Sequence, residues 1–261
     1  MGDFLLSIDG LGVSYPGKVG LFSNERIPVL KEVSLGVKKG ETLGVVGESG
    51  SGKTTLGRSI VRLTSIDSGR IFFDNCCISE LSEAAFLPYR RKIQMIFQDP
   101  FDSLNPKMTI EQILEEPLMI HFPKLSAFDR RRRMLKLLER VKLPKTYLKR
   151  YPNALSGGQR QRIGIARALA VEPELLICDE PVSALDVSIQ AAIMNLLKDL
   201  QAELKLTYLF ISHDMAIVRY ISDAVAVMQS GRIVEQGPVE SVYKNPREAY
   251  TKQLLAAVPR L

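Results

Sequence analysis

The sequence predicts an α/β fold, and three observations carry that reading. Short apolar runs of the buried-strand type recur at 43–46, 92–97, 175–178 and 208–211. Helical spacing separates them: Ile189, Ile193, Leu196, Leu197, Leu200 and Leu204 sit between two such runs as a crossover helix should. From about 101 to 156 strand patterns vanish and helical ones take over, which predicts a helical insert. Buried runs with crossovers suit a parallel sheet covered by helices.

Taken in order, Leu6, Ile8, Leu11, Val13 and Tyr15 alternate imperfectly with polar or small residues, and Val33, Leu35 and Val37 do so cleanly before Lys38-Lys39-Gly40. This predicts an N-terminal antiparallel β portion. Residues 16–28 are polar and punctuated by Gly and Pro, so they read as an exposed loop. From Glu41 an apolar strand leads into a Gly-rich turn and a helix through Leu56 and Ile60. The insert is punctuated by Pro106, Pro117, Pro123, Pro144 and Pro152. After His213 a helix precedes 224–228, Ser230-Gly231 and 232–235, the pattern of a terminal hairpin. The whole reads as one 1–261 domain, with 1–100 and 157–261 forming the β and α/β core and about 101–156 the helical part.

The chain has 261 residues, 46% of them hydrophobic, enough for one sizeable core. Its apolar runs fall short of the ~18 residues that span a bilayer. Met1-Gly2-Asp3 opens no basic-then-apolar secretory pattern. Cys76, Cys77 and Cys178 match neither a disulfide framework nor a metal-ligand spacing, and are expected to be reduced structural thiols. A net charge of +6 from 35 basic and 29 acidic residues is a modest excess that a phosphate ligand or a membrane surface would satisfy. The run Arg130–Arg133 precedes the apolar pattern Leu135, Leu138, Val141 and is expected to be a solvated helix face rather than a nucleic-acid patch.

Gly47-Glu48-Ser49-Gly50-Ser51-Gly52-Lys53-Thr54 follows a strand and opens a helix, the context a phosphate-binding loop requires. By composition alone the pattern arises in roughly one such chain in a hundred, so an ordinary Gly-rich turn is the weaker reading. Glycines let the backbone curl so that successive N–H groups and the helix N-terminus converge on phosphate oxygens. Lys53 adds a cation at the β- and γ-phosphates, and Thr54 offers a hydroxyl to Mg²⁺. These residues predict a P-loop NTPase.

A second strand, 175–178, ends in Asp179-Glu180, at the carboxyl edge where α/β sheets bind ligands. Two adjacent acids suggest divided labour: Asp179 for the Mg²⁺ shell, Glu180 to polarise the attacking water. The segment Leu155-Ser156-Gly157-Gly158-Gln159 arises by chance in fewer than about one chain in a thousand. It ends the helical insert and opens an amphipathic helix, where an N-terminus can meet a phosphate.

That segment resembles the signature of ABC ATPases, and the likeness extends over nearly the whole chain. Gln98, Ser183-Ala184-Leu185-Asp186 and Ile211-Ser212-His213-Asp214 resemble the family's Q-, D- and H-loops. The resemblance implies a RecA-like core with an antiparallel β subdomain and an inserted α-helical signature subdomain. It also implies ATP and Mg²⁺ as ligands, with Thr55 beside Thr54 in the phosphate site. Catalytic roles then fall to Lys53, Gln98, Glu180 and His213, and metal contacts to Thr54, Gln98 and Asp179. Tyr15 matches the aromatic that stacks on adenine, a tyrosine of the β core being the alternative. Two such subunits close head to tail, so Ser156, Gly157, Gly158 and Gln159 would serve the partner's nucleotide.

Within the superfamily, 44–52, 97–106 and 249–255 resemble the dipeptide and oligopeptide importer ATPases, a group that also contains nickel and glutathione importers. This implies a second ABC ATPase subunit, as a heterodimer or else a homodimer. It further implies two transmembrane permeases, an extracytoplasmic binding protein acting indirectly, no nucleic acid, and a peripheral place on the cytoplasmic face of the inner membrane. Residues 99–117 are the expected permease-docking surface. A soluble, non-transport ABC ATPase is the alternative from another class.

Overall fold

The computed structural model describes residues 4–17, 26–98 and 103–257. The chain gathers into two compact units, Met1–Leu87 with Thr207–Leu261, and Pro88–Leu206.

In the first unit, β1 (Phe4–Pro16) pairs antiparallel with β2 (Arg26–Lys38), and its other edge takes β4 (Ser68–Phe73), which continues to β5 (Cys76–Cys77). The order is β2-β1-β4-β5. Leu6, Leu11, Val13, Val33 and Phe73 supply its buried face. The expected loop at 16–28 is shorter than its composition suggested. Ser14, Tyr15 and Pro16 face Pro28, Ile27 and Arg26 in the ladder, and Arg26 bridges to Asp67 at 2.7 Å. Pro28 is tolerated because β2 is an edge strand, where one missing N–H costs little. The remainder of that stretch, 18–25, lies outside the described residues.

The same unit holds β3 (Thr42–Val46) between β8 (Thr207–Ser212) and β9 (Ala224–Gln229), parallel to both, with β10 (Arg232–Pro238) antiparallel on β9. The expected terminal hairpin is therefore present. Strand β3 is buried along its whole length, so both faces must be covered, as the continuous apolar run required. Helix α1 (Lys53–Ile60) follows β3 and buries Leu56 and Ile60 completely, each contributing about 1.5–3 kcal/mol. Helix α7 (Met215–Ile221) follows β8, and α8 (Val239–Lys244) and α9 (Ala249–Ala256) close the unit.

Helix α2 (Glu83–Lys92) begins in the first unit and ends in the second, where β6 (Ile93–Ile96) follows it and pairs parallel with β7 (Leu175–Asp179). Helices α3 (Ile110–His121) and α4 (Ala127–Arg140) form the insert, followed by 3-10 turns at Lys145–Lys149 and Pro152–Ala154 and by α5 (Gly157–Leu169). The crossover helix is α6 (Val187–Leu204). Pro117, expected to separate helices, sits inside α3 instead. Buried Ile113, Leu114 and Leu118 hold the helix through the missing bond, and a capping box between Thr109 and Gln112 secures its start. Each arginine of 130–133 is paired with an acid of the same unit: Glu115, Glu111, Asp129 and Glu172 in turn.

Candidate functional site

The phosphate loop is built by tight backbone approach at Gly47 and left-handed backbone at Gly52. A Cβ at Gly47 would lie 2.1 Å from the Met228 carbonyl oxygen, so only glycine lets β3 turn there. Gly52, at φ 108, ends the loop as the N-cap of α1 and brings no side chain to cap it. The first N–H groups of that helix therefore face a position with no competing side-chain acceptor from the cap, which fits an anion. Lys53 is 5% exposed and lays its Nζ on the Gly47 and Glu48 carbonyls at 2.7 and 2.8 Å, with Ser51 Oγ at 3.4 Å. Ser51 accepts the Gly231 N–H at 3.0 Å, and the Glu48 N–H donates to the Tyr250 hydroxyl at 3.0 Å. Ser49 and Gly50 are exposed at the tip, while Thr54 and Thr55 begin α1 half-buried.

His213 belongs to the same sheet edge. Val46 faces Ser212 in the β3–β8 ladder, so the loop and His213 leave the carboxyl ends of adjacent parallel strands at one level. Asp214 caps α7 through Oδ1, which accepts the Ala216 and Ile217 N–H groups at 2.7 and 3.2 Å, and this leaves His213 exposed between strand and helix. Tyr15 is 38% exposed, which excludes the core-tyrosine alternative. Its hydroxyl lies 3.4 Å from Thr64 Oγ1, and that contact, with Thr55 and Arg58 nearby, lowers the phenol's pKa against the opposing effect of burial.

In the second unit, Ile96 faces Cys178 in the β6–β7 ladder, bringing Gln98 and Asp179-Glu180 to one carboxyl edge. Gln98 Nε2 donates to Glu180 Oε2 at 3.1 Å. Asp179 is 2% exposed, and Glu180 takes a left-handed backbone at φ 46, an uncommon state for a non-glycine residue that clusters at functional turns. Its carbonyl accepts Ser183 N–H and Oγ–H at 3.3 and 3.2 Å, and Gln190 Nε2 braces the turn through the Val182 and Leu185 carbonyls, each at 3.0 Å. Burial, then the neighbouring Asp179 charge, pushes the Cys178 thiol far up, so it remains a protonated core residue.

Ser156 is the N-cap of α5. Its Oγ accepts the Gln159 N–H at 3.4 Å, and Gln159 Oε1 accepts the Ser156 N–H at 3.1 Å, a capping box that keeps the exposed serine at the helix start. Gln159 Nε2 also donates to the Tyr147 hydroxyl at 3.2 Å. Gly158 is buried, and a Cβ there would lie 2.5 Å from Ile189 Cγ2 on α6. Tyr147 lies in no motif, and Tyr250, within the 249–255 resemblance, was given no role at the site. Only the spatial contact exposes them as supports of the signature and of the phosphate loop.

The fold and the loop geometry define a P-loop nucleotide-binding protein. The ABC transporter family profile matches residues 30–183. The oligopeptide transport ATP-binding protein OppF of Bacillus subtilis is 52% identical over 234 residues, covering 89% of this chain and 77% of that one. The dipeptide transport ATP-binding protein DppF of Haemophilus influenzae is 47% identical over 258 residues, 98% of this chain and 79% of its own. Among solved structures, a dimeric ATP-binding cassette in a post-hydrolysis state bound to ADP and Pi superposes with TM-score 0.79 at 33% identity, covering 90% of this chain and 98% of that one. CbiO1 from Clostridium perfringens, part of the ABC transporter complex cbiONQ, gives TM-score 0.81 at 31% identity over 93% of this chain and 92% of its own. The chain belongs to the ABC transporter ATP-binding family and is an ATPase of that class.

Proposed function

We propose that this chain energises uptake of oligopeptides or dipeptides, hydrolysing MgATP on behalf of partner permeases. The observation that carries the hydrolytic reading is the Gln98–Glu180 contact at 3.1 Å beside buried Asp179. That contact supports reading Glu180 as a base and the Gln98 amide as the group that orients it. Peptide as cargo rests on the OppF and DppF relatives, whose names state oligopeptide and dipeptide transport.

In this reading the phosphate-loop amides and the α1 N-terminus hold the phosphates, and Lys53 leaves its loop carbonyls to meet their charge. Bound Mg²⁺ would neutralise developing phosphate charge, and the oxygens of Thr54, Asp179 and Gln98 are the hard donors it takes. Glu180 accepts the proton of the attacking water, and His213 contacts the γ-phosphate. Tyr15 stacks on adenine. Ser156, Gly157, Gly158 and Gln159 present a second helix N-terminus to the nucleotide of a partner ATPase, the same chain or a sister. The insert surface at 99–117 meets the permeases at the cytoplasmic membrane face. Of the docking stretch expected at 99–117, residues 99–102 lie outside those described. Among the described residues no helix is long and apolar enough to cross a membrane, so the permeases supply the spanning segments.

Deletion of the gene in its host, followed by uptake of labelled peptides, nickel and glutathione, tests the assignment. Peptide uptake is lost and restored by the wild-type gene but not by Glu180→Gln. Loss of nickel or glutathione uptake instead reassigns the cargo, and unchanged uptake of all three removes the importer reading.

A further inference from the structure

We propose that Tyr250 is a positioning residue for the phosphate loop, so that the C-terminal helix α9 helps set nucleotide affinity; this rests on the reading of 47–54 as the phosphate site. Three of the loop's braces bear on its position. Two come from the loop itself and from the neighbouring hairpin turn: Lys53 Nζ on the Gly47 and Glu48 carbonyls, and the Gly231 N–H on the Ser51 carbonyl. The third comes from 202 positions away, where the Tyr250 hydroxyl oxygen accepts the Glu48 N–H at 3.0 Å.

The tyrosine is itself fixed. The residue is 8% exposed, and the start of α9 is tied to β10 by Glu235, whose two carboxylate oxygens accept the Arg247 and Glu248 N–H groups at 2.9 and 3.1 Å. A β-strand carboxylate thus anchors the helix that carries the hydroxyl.

The loop needs such a brace because of its own sequence. Gly50 and Gly52 lie at φ 80 and 108, and a Cβ at Gly50 would meet nothing within 4 Å, so this end of the loop is conformationally permissive. A phosphate cradle works only when successive N–H groups hold a common aim, and ordering them at the moment of binding costs affinity. Fixing Glu48, the residue after the strand-to-loop turn, lowers that cost. Tyr250 touches no reacting atom and acts through the Glu48 backbone.

The test uses the full chain and Tyr250→Phe, which keeps the ring in its packing and removes only the acceptor. Three quantities are read: amide exchange at Glu48 after selective ¹⁵N-glutamate labelling, MgATP affinity by calorimetry, and melting temperature. The expected result is faster Glu48 exchange, with MgATP binding weakened about three- to ten-fold by loss of one hydrogen bond. Wild-type affinity in the variant, whether or not the melting temperature falls, marks a merely structural tyrosine and overturns the inference. A wild-type chain that binds no MgATP overturns the phosphate-site reading, and the inference falls with it; Glu48 exchange, read without nucleotide, still reports whether the bond exists.

Discussion

Gln98 donates its side-chain N–H to the Glu180 carboxylate at 3.1 Å, joining the ends of two parallel strands through the pair proposed to handle water. Glu180→Gln preserves the side chain's size and removes its basicity. ATP binding is retained and turnover falls about a hundred- to ten-thousand-fold, the usual worth of a general base. Gln98→Ala removes both the hydrogen bond to Glu180 and the oxygen proposed for Mg²⁺, and lowers turnover by at least about two- to ten-fold, the worth of the hydrogen bond alone. Phosphate release with parallel nucleotide titration reads both; near-wild-type turnover in Glu180→Gln would remove it from the mechanism.

Lys53 behaves differently, because its ammonium already has buried work on the Gly47 and Glu48 carbonyls. Lys53→Ala removes a charge-assisted contact to phosphate and weakens MgATP binding by about ten- to a hundred-fold. It also leaves those carbonyls short of a donor, so the melting temperature without nucleotide falls as well. Unchanged affinity would show that the ammonium stays on the loop when nucleotide arrives.

Much of this arrangement was legible in the sequence, and the reasons differ by element. Strands β3, β7 and β8 announced themselves because strands buried on both faces leave unbroken apolar runs. The phosphate loop was legible because a tight backbone path demands glycine at fixed places. The β4–β5 hairpin was missed although its turn, Asp74 and Asn75 at φ 47 and 62, uses residues that tolerate left-handed backbone. Its two-residue second strand is too short to show alternation. Tyr147 was invisible, and Tyr250 showed only as part of the 249–255 resemblance with no hint of its contact, because a side-chain hydroxyl meeting a loop or a cap from distant sequence leaves no periodic trace.

Gly47→Ala tests the backbone argument independently of chemistry. The added methyl would press on the Met228 carbonyl at 2.1 Å, and a backbone carbonyl in strand β9 has little room to retreat. Overpacking of this kind costs about 1–3 kcal/mol. Denaturant titration should show that loss even without nucleotide; stability equal to wild type would mean the strand-to-loop turn has slack that the geometry denies.

Tyr15 is exposed and reaches Thr64 through its hydroxyl, so ring and hydroxyl separate cleanly. Tyr15→Phe keeps a stacking face and should bind ATP within about two-fold of wild type, whereas Tyr15→Ala should weaken it about five-fold or more, by analogy with the worth of base–aromatic stacking. Equal affinity in Tyr15→Ala would place adenine elsewhere.

Glu235 supplies a pH-dependent contribution whose sign follows from its surroundings. Burial alone would raise its carboxyl pKa, but the nearby Thr251 side chain, the hydrogen bonds from the Arg247 and Glu248 N–H groups and the Arg247 charge outweigh it and hold the folded value below the ordinary 4.5. The unfolded chain therefore binds the proton more readily than the folded one. The stabilisation is fully present above pH 4.5 and is lost as pH falls through the lowered folded value. Glu235→Gln loses the charged anchor of α9, so at pH 7 its denaturation midpoint should lie below wild type. The gap should start to close as pH falls below 4.5 and be gone below the lowered folded value, where wild-type Glu235 is also neutral. A gap that persists unchanged would mean the side chain's shape, rather than its charge, holds the start of α9.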